Sequence, residues 1–313
     1  MLFFIQNHFL GLGSSRTIII GSRRKKLGGE FMTNRLGRKL GEGAGSEVFE
    51  WEGNRKIVKL AKPNTSIAAL RRELNNSRVA WAYGLPVPEP FELITVGERY
   101  GIVFERVYGE SVLQRLVGDM MERRRFNMSG DLFEPRLSAR LLHQVHSHAA
   151  PDLRSQRDTI VEDIRRAPYL TDSEKARLIA DLTRLPEKQC LCHGDPNPGN
   201  ILIRERDAVI IDWNDATAGN PEADVAEYVL LLRFAAMPSY LNFSPTASSD
   251  LQIMREEAIR IFVEEYEKLS GIGYEKIDPW IAPLAARKLT ADAFSEEEKA
   301  LLVAEIRRKI GDT

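Results

Sequence analysis

His193-Gly194-Asp195-Pro196-Asn197-Pro198-Gly199-Asn200 sets a carboxylate and a side-chain amide five residues apart on one loop. A carboxylate so placed can take the proton of an attacking hydroxyl, and the amide oxygen can reach a metal ion. Pro196, Pro198 and Gly199 suit a rigid loop that turns sharply between the two groups. Beyond it, Asp212 ends the apolar run Ala208-Val209-Ile210-Ile211, where a second oxygen ligand for Mg2+ would stand. These residue types at these spacings support phosphoryl transfer to a hydroxyl. Asp195 is the expected base, and Asn200 and Asp212 the expected metal ligands.

The same chemistry requires a cover over the phosphates and a cation on them. Gly41, Gly43 and Gly45, followed by Ser46, lie between two strand-like segments, where a phosphate-covering hairpin would stand. Such glycines permit positive φ, and their N–H groups can point at phosphate. Lys59 sits in the alternating run Lys56–Ala61, flanked by Val58 and Leu60, as expected for the cation on the α- and β-phosphates. Glu73, on the helix that follows, is the expected partner that orients it. His143 and His146 lie three apart on one helix, but no carboxylate motif of the metalloprotease kind accompanies them. Packing or solvent exposure is the expectation for them.

The elements that must position these groups can be read along the chain. Residues 36–60 read as three strands around a glycine turn and a Gly53-Asn54 turn. Ser66 is a plausible N-cap for a helix over about 66–83, stopped by Gly84. Leu85–Leu93 and Glu98–Val107 supply two further strands. From Ser111 onward helices dominate, with a capping box at Thr171–Glu174, a helix after Ser249 closed by Gly271, and a last helix opened by Ser295. The expected fold class is α+β: a small β-sheet plus one-helix N-lobe, then a larger, mainly helical C-lobe. The expected domains are an N-terminal extension over 1–31, an N-lobe over 32–107 and a C-lobe over 108–313. Residues 1–31 lack clear periodicity, so a start at Met32 or disorder is expected there.

Composition bounds the rest. Hydrophobic residues at 43% and charged residues at 28% are ordinary for a globular protein, and a net charge of −1 gives no basic field for nucleic acid or anionic membrane. The apolar start is too short to span a bilayer. A cytoplasmic enzyme with a small-molecule hydroxyl acceptor, no nucleic-acid partner and no membrane partner fits best. Cys190 and Cys192 are too few for a disulfide framework, and on a strand both thiols would face the core.

The chain resembles the aminoglycoside phosphotransferase and choline kinase superfamily, which has the protein-kinase-like fold. The resemblance covers roughly residues 36–235 in motif order and is strongest at LCHGDPNPGNILI and VIIDWNDATAGNPEADVA. It implies ATP and Mg2+ as cofactors, with Asp195, Asn200, Asp212, Lys59 and Glu73 in the roles above. It also implies a hinge at Val103-Phe104-Glu105-Arg106-Val107 that holds adenine, and Asp224 as a support of the catalytic loop. The chain departs from the pattern in two places: Asn197 stands where the family often has His, and Ser46 stands where a third glycine would be. Trp213-Asn214 follows Asp212, and no Ala-Pro-Glu comes after it, which argues against a protein substrate. The competing class is a non-catalytic nucleotide-binding module. Acceptors left open are aminoglycosides, macrolides, amino alcohols such as choline, and sugar-like metabolites.

Overall fold

The computed structural model describes residues 4–5, 35–126, 132–204, 207–235, 248–291 and 294–311. Its N-terminal lobe is an antiparallel sheet of β1 (Phe4–Ile5), β2 (Leu36–Glu42), β3 (Ser46–Trp51), β4 (Lys56–Ala61), β5 (Pro90–Val96) and β6 (Arg99–Glu105). The strand order is β1-β2-β3-β4-β6-β5. Most of the expected extension over 1–31 lies outside the described residues.

Alternation along β4 decides which groups reach the cleft. Val58 and Leu60 face one side, packed with Trp51 and Val103. Ile57, Lys59 and Ala61 face the other, toward α1 (Ile67–Ala82). A slip of one residue would bury Lys59 in the apolar layer. Helix α1 forms as its sequence predicts: the Ser66 hydroxyl accepts from Ala69 N–H, and Gly84 turns the chain away at φ +71°. Its buried face carries Leu70, Leu74 and Ala80, but also Glu73 and Asn76. Glu73 lines the cleft, as does Ser77 on the same face, whereas Asn76 Nδ2 donates to the Trp213 carbonyl at 2.9 Å.

The larger lobe holds α2 (Val112–Phe126), α3 (Phe133–His146), α4 (Gln156–Arg166), α5 (Asp172–Arg184), α6 (Pro221–Phe234), α7 (Ser248–Ser270), α8 (Tyr274–Lys288) and α9 (Glu296–Gly311). Helix α6 is buried nearly all round and forms the lobe's axis, which is why its sequence lacks a polar stripe. Tyr228 of α6 stacks on Phe262 of α7, ring centroids 3.8 Å apart. The expected capping box is present at Thr171 and Glu174. Short strands β7 (Glu110–Ser111), β8 (Cys190–Cys192), β9 (Ile201–Arg204), β10 (Asp207–Ile210) and β11 (Thr217–Gly219) form two small antiparallel ladders that frame the loop at 193–200. Among the described residues no helix is long and apolar enough to cross a membrane.

Candidate active site

Between β8 and β9 the chain makes the loop that carries Asp195 and Asn200. Gly194 adopts φ +79°, and a Cβ there would lie 2.0 Å from the Asp215 carbonyl oxygen, so only glycine fits. Asp224, in the first turn of α6, accepts from the backbone N–H groups of His193 and Gly194. Burial pushes the Asp224 carboxyl up, but His146 and the loop amides outweigh it and hold the group below the ordinary carboxylate range. His146 also meets the Tyr266 hydroxyl at 2.6 Å, so α3, α6 and α7 are tied together beneath the loop. The thiol of Cys192 lies beside His146 and Asp224. Both Asp224 oxygens already accept from loop amides, and burial keeps that thiol protonated, so the cluster is a packing network. Of the two expected core thiols, Cys192 is fully buried and Cys190 only half-buried.

Among the described residues, three side chains donate to the Asp195 carboxylate. Asn197 Nδ2 donates to its Oδ2 at 2.9 Å and Asn200 Nδ2 to the same oxygen at 3.2 Å. Lys288 Nζ, from the last residue of α8, donates to Oδ1 at 3.1 Å. Burial alone would raise this carboxyl, yet the positive charges around it, Lys288 first among them, together outweigh burial and hold the group well below its ordinary range. Asp195 is therefore ionised and can accept a proton.

Lys59 Nζ donates to Glu73 at 2.7 Å and to Asp212 Oδ1 at 2.8 Å. Burial lowers the affinity of this amine for its proton, but the two carboxyl groups overcome that and hold it charged. Asp212 takes a left-handed conformation at φ 66°, which is uncommon outside glycine and marks a position fixed by its surroundings. Ile211 N–H donates to the Asn200 carbonyl at 2.9 Å, which keeps Asn200 and Asp212 on neighbouring segments. Among the described residues, Asn200 Oδ1 and Asp212 Oδ2 are both buried without a hydrogen-bond partner. An orphaned buried oxygen is costly. Two of them on adjacent segments are the donor set a hard divalent cation takes, so the residues present fit Mg2+.

Of the residues expected to hold nucleotide, Gly41, Lys59, Glu73, Glu105 and Val107 line one cavity between the lobes, together with Asp212. Val48, Ile57, Phe104 and Leu202 give it apolar walls suited to a flat ring. Gly43, Gly45 and Ser46 form the turn at the cavity's edge and do not line it. None of Gly41, Gly43 and Gly45 uses the positive φ that glycine permits, and Gly43 N–H closes the turn by donating to the Ser46 carbonyl at 2.8 Å. Trp213, Tyr228 and Trp280 are core residues, so no aromatic box for a quaternary ammonium forms from them; Tyr240 lies outside the described residues. Sequence reasoning missed Lys288, which pairs with Asp195, and Glu227 and Arg287, which pair in turn behind it. No local signal marks them: Arg287 and Lys288 read as ordinary cations in the last turn of a helix.

No curated protein matches the sequence. The fold is similar to that of a thermostable mutant of aminoglycoside phosphotransferase APH(4)-Ia in ternary complex with AMP-PNP and hygromycin B. That match has a TM-score of 0.59 at 16% identity, covering 90% of this chain and 97% of that one. An aminoglycoside-3'-phosphotransferase of type VIII matches with a TM-score of 0.52 at 22% identity, covering 80% and 91%. ADP-bound APH(2'')-Ib matches with a TM-score of 0.54 at 16% identity, covering 86% and 90%. The sequence pattern of the phosphotransferase enzyme family spans residues 37–256, from β2 into α7. The chain belongs to that family of kinase-type enzymes and has the two-lobed, protein-kinase-like fold of the aminoglycoside phosphotransferases.

Proposed function

We propose that the chain is an ATP-dependent phosphotransferase that moves the γ-phosphate onto a hydroxyl of a small molecule. The observation that carries this reading is the pairing of an ionised, three-way-held Asp195 with two orphaned oxygens, Asn200 Oδ1 and Asp212 Oδ2, on adjacent segments. Solved structures of similar fold contain ADP or AMP-PNP, which supports a nucleotide in the same cleft here.

In this reading the apolar walls and the backbone of Glu105–Val107 receive adenine, the turn at Gly41–Ser46 covers the phosphates, and Lys59 pairs with the α- and β-phosphates. Asn200 and Asp212 would hold Mg2+, which supplies charge neutralisation at the phosphate oxygens when bound. Asp195 orients the acceptor hydroxyl and takes its proton. The acceptor oxygen forms the new bond to phosphorus, the bond to the β-phosphate oxygen breaks, and ADP leaves with that electron pair. Catalysis comes from positioning and electrostatics, because Asp195, Lys59 and the loop amides are fixed before substrate arrives. The acceptor is a hydroxyl compound from the aminoglycoside, macrolide, amino-alcohol or sugar classes.

Mass spectrometry of the protein with Mg2+-ATP and pooled acceptors of these classes tests the reading. One compound should gain a phosphate, and the Asp195→Asn variant should lose about three orders of magnitude in kcat, or about 4 kcal/mol, with ATP affinity nearly intact. Unchanged turnover in that variant would remove Asp195 from the role of base.

A further inference from the structure

We propose that Lys288 is a positioning residue of the phosphoryl-transfer site, holding the Asp195 carboxylate in its working orientation from the end of α8. This inference rests on the phosphotransferase reading above. It concerns a residue beyond the stretch over 37–256 that carries the family pattern.

Three observations support it. First, Lys288 is buried, with its side chain 11% exposed, and long flexible cations are seldom placed so without a partner. Its Nζ meets Asp195 Oδ1 at 3.1 Å and also pairs with Glu227. Second, the contact divides the carboxylate: the two loop amides of Asn197 and Asn200 hold Oδ2, and the ammonium holds Oδ1. A carboxylate held at both oxygens from two different elements cannot rotate about its terminal bond. Third, Lys288 is itself held in place. Glu227 of α6 takes Arg287 at 3.0 Å as well as Lys288, and Arg287 also reaches Asp163 at 3.5 Å. The chain Asp195–Lys288–Glu227–Arg287–Asp163 alternates in charge and runs from the catalytic loop through α8 and α6 to α4. Lys288 is thus an arm anchored in the helical core, with its tip on the base.

The competing view is that Lys288 only neutralises the buried Glu227, and that its contact with Asp195 is incidental. The two views differ for the double variant Glu227→Gln with Lys288→Met. Removing both members leaves no uncompensated charge in that pair, and Arg287, which loses Glu227, keeps Asp163 at 3.5 Å. If Lys288 serves Glu227 alone, the double variant regains the activity that Lys288→Met lost. If Lys288 positions Asp195, the double variant folds and stays slow.

Kinetics with Mg2+-ATP and the acceptor found above, alongside thermal unfolding of each variant, provide the test. Lys288→Met should lower kcat by about a hundredfold and leave the KM for ATP within about twofold. Lys288→Arg should recover at least a tenth of the wild-type kcat, because a guanidinium can reach both carboxyl groups. The double variant should match Lys288→Met in kcat while unfolding closer to the wild-type temperature. Wild-type kcat in Lys288→Met, or in the double variant, would overturn the proposal and leave the phosphotransferase reading intact. Failure of the unaltered protein to phosphorylate any acceptor would overturn both.

Discussion

Two buried lysines, one in each lobe, bridge two carboxyl groups apiece. Lys59 lies between Glu73 and Asp212, and Lys288 lies between Asp195 and Glu227. Taking an ammonium out of water is costly, and each site offsets that cost with acids at close range. What remains after pairing differs. In the first cluster one ammonium faces two carboxyl groups, and Asp212 Oδ2 has no partner. In the second, Lys288 and Arg287 together face Asp195 and Glu227. One cluster is short of positive charge and suited to gain a cation with its ligand. The other shares two cations among three acids, Asp163 included, so that each acid has a cation beside it and is held still. In the proposed reading the same local chemistry serves binding in one lobe and positioning in the other, depending on how the acids are paired.

Parallel substitutions can break that comparison. Lys59→Met and Lys288→Met should each cost about 3–5 kcal/mol in chemical denaturation, since each strands buried acids. Their kinetics should part: Lys59→Met should raise the KM for ATP at least tenfold, whereas Lys288→Met should act on kcat. Equal loss of ATP affinity in both would show that the clusters are not functionally distinct.

A smaller effect is expected beneath the loop. Asp224→Asn keeps the shape but weakens charge-assisted bonds to two backbone amides, at about 1.5–3 kcal/mol by thermal unfolding. Its pH dependence sharpens the point. Because the folded Asp224 carboxyl sits below its ordinary value, its contribution is complete above the unfolded carboxylate range and is lost as pH falls through the folded value. The Asn variant should therefore lose less stability than the wild type between neutral pH and acid. An unchanged acid limb would mean that Asp224 does not carry this dependence.

The smallest expected effect falls in the N-lobe, away from both clusters. Ser66→Ala removes the cap of α1 and should cost about 1 kcal/mol in denaturant, with kcat unchanged. A fall in kcat would mean that the seating of Glu73 depends on the helix end as well as on packing.

Much of this molecule was legible in the chain. The strand–strand–strand–helix–strand–strand order over 36–105 follows from period-two alternation and turn residues, and α1 runs between the predicted cap and glycine, but β1, paired with Gly41 and Glu42, was not expected in 1–31. Short-range patterns of this kind survive folding because local sterics and hydrogen bonding write them. Asp195 and Asn200 share one loop, and Asp212 follows on the next short strand pair, so spacing alone could bring them together. The glycine turn was legible in place but not in conformation: its hydrogen bond closes without the left-handed backbone that its composition allows.

Lys288 could not be read the same way. Its contact with Asp195 spans 93 residues, and its own neighbourhood in sequence is a helix end like many others. The chain by itself determined the secondary structure, the loop chemistry and the order of the cleft residues, because each depends on neighbours a few positions apart. Only the tertiary structure decided what stands on the far side of the base. That depends on where α8 ends when it packs against α6, and a helix's packing partner is set by the shape of the whole core rather than by any local run of residues.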